Sequence, residues 1–204
     1  MGELMTEMQM IVGGLIVVIG LILFLIWRTS QAGKSYRDFP KIIRKISKYH
    51  MKNVIIPDAV EGSSFIDWLV LTPRGILIIS QKPYKGVIFA AENISHWTQV
   101  IDKRSYSFDN PLRQLEVDVV TIKSLIPGTP VKGYVVFDRD SFFPKGKPKI
   151  VLTLKEIKQN ISIFREGQIS PDLLEAWNKL QQSLKQGSES DRGFGGMDAT
   201  ANYS

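Results

Sequence analysis

The sequence of 204 residues has no cysteine and only two histidines. Without cysteine, the chain has no disulfide framework, no cysteine-based zinc site and no thiol catalysis. It also contains no glycine-rich loop of the Walker or dinucleotide-binding type. Apolar residues make up 44% of the chain, which is an ordinary globular proportion and excludes wholesale disorder.

Basic residues are absent from the first 27 positions. That stretch contains 19 apolar residues and two acids, Glu3 and Glu7. All 26 basic residues therefore follow Trp27, where 18 acids oppose them and the formal charge is +8. A charge gradient of this kind is typical of a membrane boundary.

The run from Met8 to Trp27 has only one polar member, Gln9, and at about 1.5 Å per residue it is long enough to cross a bilayer. Basic residues follow it at once, so we expect the N-terminus outside and the rest of the chain in the cytoplasm. A cleaved signal peptide is the alternative, since Ser30–Ala32 resembles a cleavage site. The acidic start and the length of the apolar run favour an anchor in a bacterial plasma (inner) membrane.

The segment after the anchor is strongly basic. Residues 28–37 form a polar linker, and apolar residues recur at helical spacing from Asp38 to Tyr49. We interpret this part as a surface for anionic lipid headgroups, with the phosphates of DNA or RNA as the alternative. Its proposed contact residues are Lys41, Arg44, Lys45, Lys48 and Lys52.

The remaining pattern indicates one α+β domain. The β-rich runs 65–72 and 76–82 are separated by Pro73–Gly75, and with the short run 87–89 they predict an antiparallel meander. A polar stretch containing Trp97 follows. We then predict a helix that begins at Asn110–Pro111 and ends at Ile126, a strand at 131–137 and a short strand at 150–152. Thr153 and Glu156 cap a further helix that runs to 162. A last helix begins at Ser170–Asp172 and ends at 186, and a disordered tail follows at 187–204.

Asp67 stands in an apolar strand, and Ser80 and Lys82 lie two apart on the next strand, so that their side chains share a face. A connecting loop with an even number of residues places Asp67 opposite Ser80. A three-residue loop places it opposite Gln81 instead, and the sequence alone leaves both registers open.

These residues resemble a known family. The segment Phe65–Ile76 is similar to the signature of the nuclease-related domain, or NERD, family of the PD-(D/E)xK nuclease superfamily. The similarity continues through Lys82, Lys85–Gly86, Trp97, Asn110–Gln114 and the strand Val135–Phe137. It implies a central mixed sheet flanked by helices, in a domain that we expect to cover residues 38–164, with a separate C-terminal helix at 165–186.

The resemblance also implies a site in which Mg²⁺ or Mn²⁺ is held by carboxylates and a lysine orients the attacking water. Asp67 matches the family's Asp and Lys82 its Lys, and Gln114 matches its Gln. The Glu position, however, is Ser80, a neutral and poor ligand for magnesium. Asp38 and Glu61 are the candidate replacements.

Three functions are open at this point. We favour a degenerate nuclease fold that binds nucleic acid or a protein partner at the cytoplasmic face of the membrane. A weakly active, metal-dependent endonuclease and a non-enzymatic membrane scaffold are the alternatives. If the site has decayed, Asp67 and Lys82 are expected to form a simple ion pair at the end of the sheet.

Overall fold

The computed structural model describes residues 34–58 and 62–194. The chain divides into two compact units, Met1–Phe39 and Pro40–Ser204. The predicted membrane segment, residues 8–27, lies outside the described residues. Among the helices that are described, none is both long and apolar enough to span a bilayer.

Five helices and nine strands are described. The helices are α1 (Lys34–Ile46), α2 (Pro111–Leu125), α3 (Leu154–Gln159), α4 (Ile161–Arg165) and α5 (Pro171–Phe194). The strands are β1 (His50–Asp58), β2 (Gly62–Thr72), β3 (Gly75–Lys82), β4 (Gly86–Phe89), β5 (His96–Ile101), β6 (Arg104–Asp109), β7 (Val131–Phe137), β8 (Ser141–Phe142) and β9 (Val151–Thr153).

The central sheet has the order β1-β2-β3-β7-β9. Its first three strands are antiparallel, whereas β7 and β9 join in parallel, so the sheet is mixed. The run Ile76–Ile79 in the middle strand is buried throughout, as expected for a strand covered on both faces. The predicted α+β class with a mixed sheet and flanking helices is confirmed.

The predicted meander is wrong in its membership. Its three strands are β1, β2 and β3, whereas β4 leaves the central sheet and pairs with β5 and β8. Gly86 explains the departure, because its φ of +85° turns the chain in a way that an L side chain rarely allows. A Cβ at this position would lie 2.7 Å from the carbonyl oxygen of Val100, so the close pairing with β5 also requires glycine.

A second sheet, in the order β6-β5-β4-β8, includes the stretch that the sequence presents as merely polar. Strands β5 and β6 form a hairpin around Asp102 and Lys103, whose φ angles are +49° and +63°. Two-residue turns with positive φ at both positions normally contain Asn-Gly or Asp-Gly. The sequence therefore did not predict this hairpin, because its turn is Asp-Lys and the strand that follows is almost fully exposed and lacks an apolar alternation.

Helix α2 packs closely on the central sheet. A Cβ added to Gly133 on β7 would lie 2.7 Å from Cδ1 of Leu115 and 3.0 Å from Cγ2 of Val119. The absence of a side chain therefore sets how near the helix lies to the strand. Trp97 is fully buried in the same core and stacks on Phe137, with the two ring centroids 6.0 Å apart.

Several helix ends differ from the predicted ones. Helix α1 stops at Ile46 because the Ser47 hydroxyl accepts the N–H of Tyr49 and competes with the helical bond. The helix predicted to reach 162 is broken at Asn160, whose side-chain amide donates to the Glu156 carbonyl. Helix α5 continues to Phe194 rather than stopping at 186, while residues 195–204 of the predicted tail lie outside the described residues.

Candidate functional site

The register between β2 and β3 is set by a two-residue turn, Pro73–Arg74. The paired residues run from Thr72 and Gly75 to Trp68 and Ile79. One step further, the same register places Asp67 opposite Ser80, which answers the question left open by the sequence.

The side chain of Asp67 takes over where the backbone pairing of β2 and β3 stops. Its Oδ2 accepts the backbone N–H of Gln81 at 2.7 Å. On the other side of β2, Asn53 has a φ of +55° and interrupts the pairing with β1 opposite Asp67. In the described part of the chain no ion pair joins Asp67 to Lys82, so the predicted ion pair is wrong. The carboxylate instead satisfies a backbone donor where the strands separate.

Gln81 points away from this site. Its Oε1 accepts the indole N–H of Trp68 at 3.4 Å, on the opposite face of the sheet from Ser80 and Lys82. This direction of Gln81 agrees with the prediction that Ser80 and Lys82 share a face of β3. Asp67, Ser80 and Lys82 are all half-buried.

Gln114 lies in the first turns of α2 and links that helix to β2. Its amide donates to Ser64 Oγ at 2.8 Å and to Asp118 Oδ1 at 3.1 Å. The Ser64 hydroxyl also donates to Asp118 Oδ1, at 3.0 Å. Asp118 is only 3% exposed, so this closed network keeps a buried carboxylate hydrogen-bonded. No role was predicted for Asp118 from the sequence. The available signal was its spacing of four residues from Gln114, which places both side chains on one face of the helix.

A cleft of about 790 Å³ opens where β3, β5, β6 and α2 converge. It brings together Lys82 and Gln114, which the sequence proposed as site residues, but Asp67 and Ser80 are not in its wall. The exposed side chains of Arg113 and His96 also line this cleft. Its full lining is Lys82, Tyr84, Ser95, His96, Ser107, Phe108, Asp109, Asn110, Pro111, Arg113 and Gln114.

One wall of the cleft depends on Asn110, which is 3% exposed. Its Oδ1 caps α2 by accepting the N–H of Leu112 at 3.0 Å. Its amide donates to the carbonyls of Ile94 at 2.8 Å, Glu92 at 3.1 Å and Ala91 at 3.4 Å. The cap predicted from sequence is thus confirmed, and the same side chain also holds the segment that leads to Ser95 and His96.

The residues described around Asp67 do not fit a divalent metal. Hard cations such as Mg²⁺ need several oxygen ligands, more than one of them usually a carboxylate or phosphate. Asp67 offers one carboxylate, already bonded to a backbone N–H, and Ser80 offers a neutral hydroxyl. No group of three or more histidine or acidic side chains suited to a metal occurs in the described ranges. Glu61 lies outside them, and Asp38 belongs to the N-terminal unit, so both stay predictions as ligands.

The five basic residues predicted as a contact surface are all exposed. Helix α1 buries Ile42, Ile43 and Ile46 on its opposite face, which leaves the charged face in solvent. The five exposed basic residues are Lys41, Arg44, Lys45, Lys48 and Lys52.

The described domain thus has a mixed sheet, a hairpin that carries Asp67 and Lys82, and an adjoining helix that carries Gln114. The sequence model of the nuclease-related domain, NERD, matches residues 34–138, just over half of the chain. The chain belongs to this family. It is also similar to an uncharacterized protein of Bacillus anthracis, at 26% identity over 155 residues that cover 72% of this chain and 71% of the relative. No solved structure matches it significantly.

Proposed function

We propose that this protein is a membrane-anchored member of the NERD family that binds DNA or RNA in the cleft at the start of α2. The observation that carries the proposal is the convergence of Lys82, Arg113 and Gln114 in one open groove of about 790 Å³. Family membership agrees with this use of the fold, because the fold is that of a nuclease-related domain.

The chemistry of the groove suits a phosphate backbone. The Lys82 ammonium and the Arg113 guanidinium supply positive charge, and the α2 N-terminus adds a favourable dipole for an anion. Arg113 Nη2 donates to Ser95 Oγ at 3.1 Å, a bond that orients the guanidinium at the rim. Tyr84 and Phe108, with ring centroids 4.5 Å apart, provide half-buried aromatic surface on which a base can stack.

Nucleic-acid binding rather than cleavage is proposed because the ligand set is short by one charge. A serine at position 80 supplies no negative charge to a metal, and the Asp67 carboxylate already holds the N–H of Gln81. Metal-dependent cleavage with Mg²⁺ or Mn²⁺ is the alternative activity, and its test is given below.

The apolar run at 8–27 is proposed as a single-pass anchor with the N-terminus outside. The domain that contains the cleft is then on the cytoplasmic face. If this is right, alkaline carbonate should leave the protein in the membrane pellet. Release into the supernatant would contradict the anchor without bearing on the cleft.

Binding can be tested with the full chain in detergent and a labelled oligonucleotide. Replacing Lys82 or Arg113 by glutamine should weaken binding of every sequence and lower the salt dependence of log K by about one unit per lost phosphate contact. Lys123→Gln, in the exposed last turn of the same helix, is the matched control and should leave both quantities unchanged. Equal effects from all three variants would contradict a specific groove.

Cleavage can be tested with supercoiled plasmid and Mg²⁺ or Mn²⁺. We expect no cleavage by the wild-type protein and gain of cleavage in Ser80→Glu, which restores the family's second acidic residue. Cleavage by the wild type that is lost in both Asp67→Ala and Lys82→Ala would establish the endonuclease instead. Absence of any nucleic-acid binding would favour a scaffold or a protein partner at this face.

A further inference from the structure

An apolar pair is exposed on the outer side of the β1–β2 hairpin. Ile55 and Phe65 face each other across the ladder and are 51% and 56% exposed. Their neighbours Val54 and Ile66 form the next pair and are buried. Because side chains alternate along a strand, the exposed pair points away from the core.

Positive charge precedes this pair along the same strand. Lys52 lies three residues before Ile55, about 10 Å at 3.3 Å per residue. Its ammonium sits 5.4 Å from the ring centroid of Trp68, and that of Lys48 lies 4.9 Å from the centroid of Tyr49. From position 41 to position 56 the sequence has five lysines and arginines and no acid. Exposed cationic and exposed apolar side chains therefore follow one another along residues 48–55.

We propose that this surface, which we call the hairpin patch (Lys48, Lys52, Ile55 and Phe65), docks on an anionic lipid surface. The proposal extends the membrane anchor proposed above to a second contact made by the folded domain. Lipid satisfies both parts of the patch: headgroup phosphates attract the ammonium groups, and the boundary of the acyl chains accepts Phe65 and Ile55.

Nucleic acid fits the patch less well. A phosphate backbone would bind Lys48 and Lys52 and a base could stack on Phe65, but Ile55 is aliphatic and gains nothing from stacking. A membrane is also within reach. Helix α1 begins at Lys34, seven residues after Trp27, and seven residues can extend at most about 25 Å. The hairpin patch and the cleft share no residue, so docking and binding in the cleft use separate surfaces.

The absence of cysteine makes the test direct. A single cysteine in Phe65→Cys, labelled with an environment-sensitive fluorophore, reports contact with lipid in the full chain. The matched control is Phe142→Cys on β8, since Phe142 is 63% exposed in the other sheet. Both proteins are reconstituted in vesicles of phosphatidylcholine alone and of phosphatidylcholine with phosphatidylglycerol.

We expect a blue shift and brighter emission from position 65 only in the vesicles with phosphatidylglycerol, and no change at position 142. The shift should diminish in 1 M salt, where the screening length falls to about 3 Å, and disappear when Lys48→Glu and Lys52→Glu are added.

Emission at position 65 that is the same in all vesicles would overturn the proposal, and so would a shift caused by an oligonucleotide but not by lipid. The anchor is judged separately by carbonate extraction. If the protein is extracted but position 65 still responds to added anionic vesicles, the docking surface stands without the anchor.

Discussion

Removal of the Asn110 side chain should be among the most damaging single changes in the domain. The amide has two N–H groups for three carbonyl oxygens, so its contacts count as about two full hydrogen bonds, at about 1 kcal/mol each. Loss of the cap on α2 costs about 1 kcal/mol more. Asn110→Ala should therefore lower the free energy of unfolding by about 3 kcal/mol, a large part of the 5–15 kcal/mol typical of a domain.

Asn110→Asp separates the two roles of this side chain. The carboxylate keeps an acceptor for the N–H of Leu112, and its charge suits the start of a helix. It donates nothing, however, to the carbonyls of Glu92 and Ile94, and it repels them. If the donated bonds matter, this variant should lose about 2 kcal/mol even though the helix remains capped.

Urea unfolding of the full chain in detergent, followed by far-ultraviolet circular dichroism, measures both losses. With a slope of about 2 kcal/mol per molar urea, Asn110→Ala should move the midpoint by about 1.5 M. Ser170→Ala, which removes only an exposed capping contact to the N–H of Leu173, should move it far less. An Asn110→Asp variant as stable as the wild type would refute the role assigned to the carbonyl bonds.

Three further changes test the packing and the electrostatics. Gly133→Ala should cost about 1–3 kcal/mol, because its Cβ would meet Leu115 at 2.7 Å; thermal unfolding measures this, and an unchanged midpoint would mean that α2 shifts freely. Gly75→Ala should be at least as costly by the same measurement, since φ is +115° and the new Cβ would lie 2.1 Å from a backbone carbonyl. Burial by itself would raise the pKa of Glu156, but hydrogen bonds from Thr153 and Lys147 outweigh it and lower that pKa. The stabilisation by Glu156 is thus present above its unfolded pKa and is lost as the pH falls through the lower, folded pKa. Glu156→Gln should therefore make the free energy of unfolding less sensitive to acid. Urea unfolding at several pH values measures this.

The sequence predicted the features that neighbouring residues determine. Asn110–Pro111 starts α2, Thr153 and Glu156 form a reciprocal capping box, and Pro171 opens α5. Each of these contacts joins residues three or fewer apart in the chain, so it forms wherever the segment is placed. The continuous apolar run of β3 likewise predicted a strand, because a strand that is buried on both faces has apolar residues at every position.

The register of the β2–β3 hairpin required distant partners. Pro73–Gly75 is compatible with a two- or a three-residue loop, and only the first places Asp67 opposite Ser80. The carbonyl of Pro130 accepts the N–H of Ile76 at 2.8 Å, where β7 begins. That bond between segments more than fifty residues apart draws the start of β3 against β7 and leaves Gly75 within the strand.

The composition of the cleft was also beyond the sequence. Lys82 and Gln114 were chosen separately by resemblance, but their neighbours His96, Arg113 and Asp109 reach the groove only through the second sheet, whose polar strands have little periodicity. The sequence by itself determined the helix starts, the buried strands, the charge asymmetry and the serine at position 80. The tertiary structure decided which of these residues meet, because strand pairing and the packing of α2 bring together groups that no local contact connects.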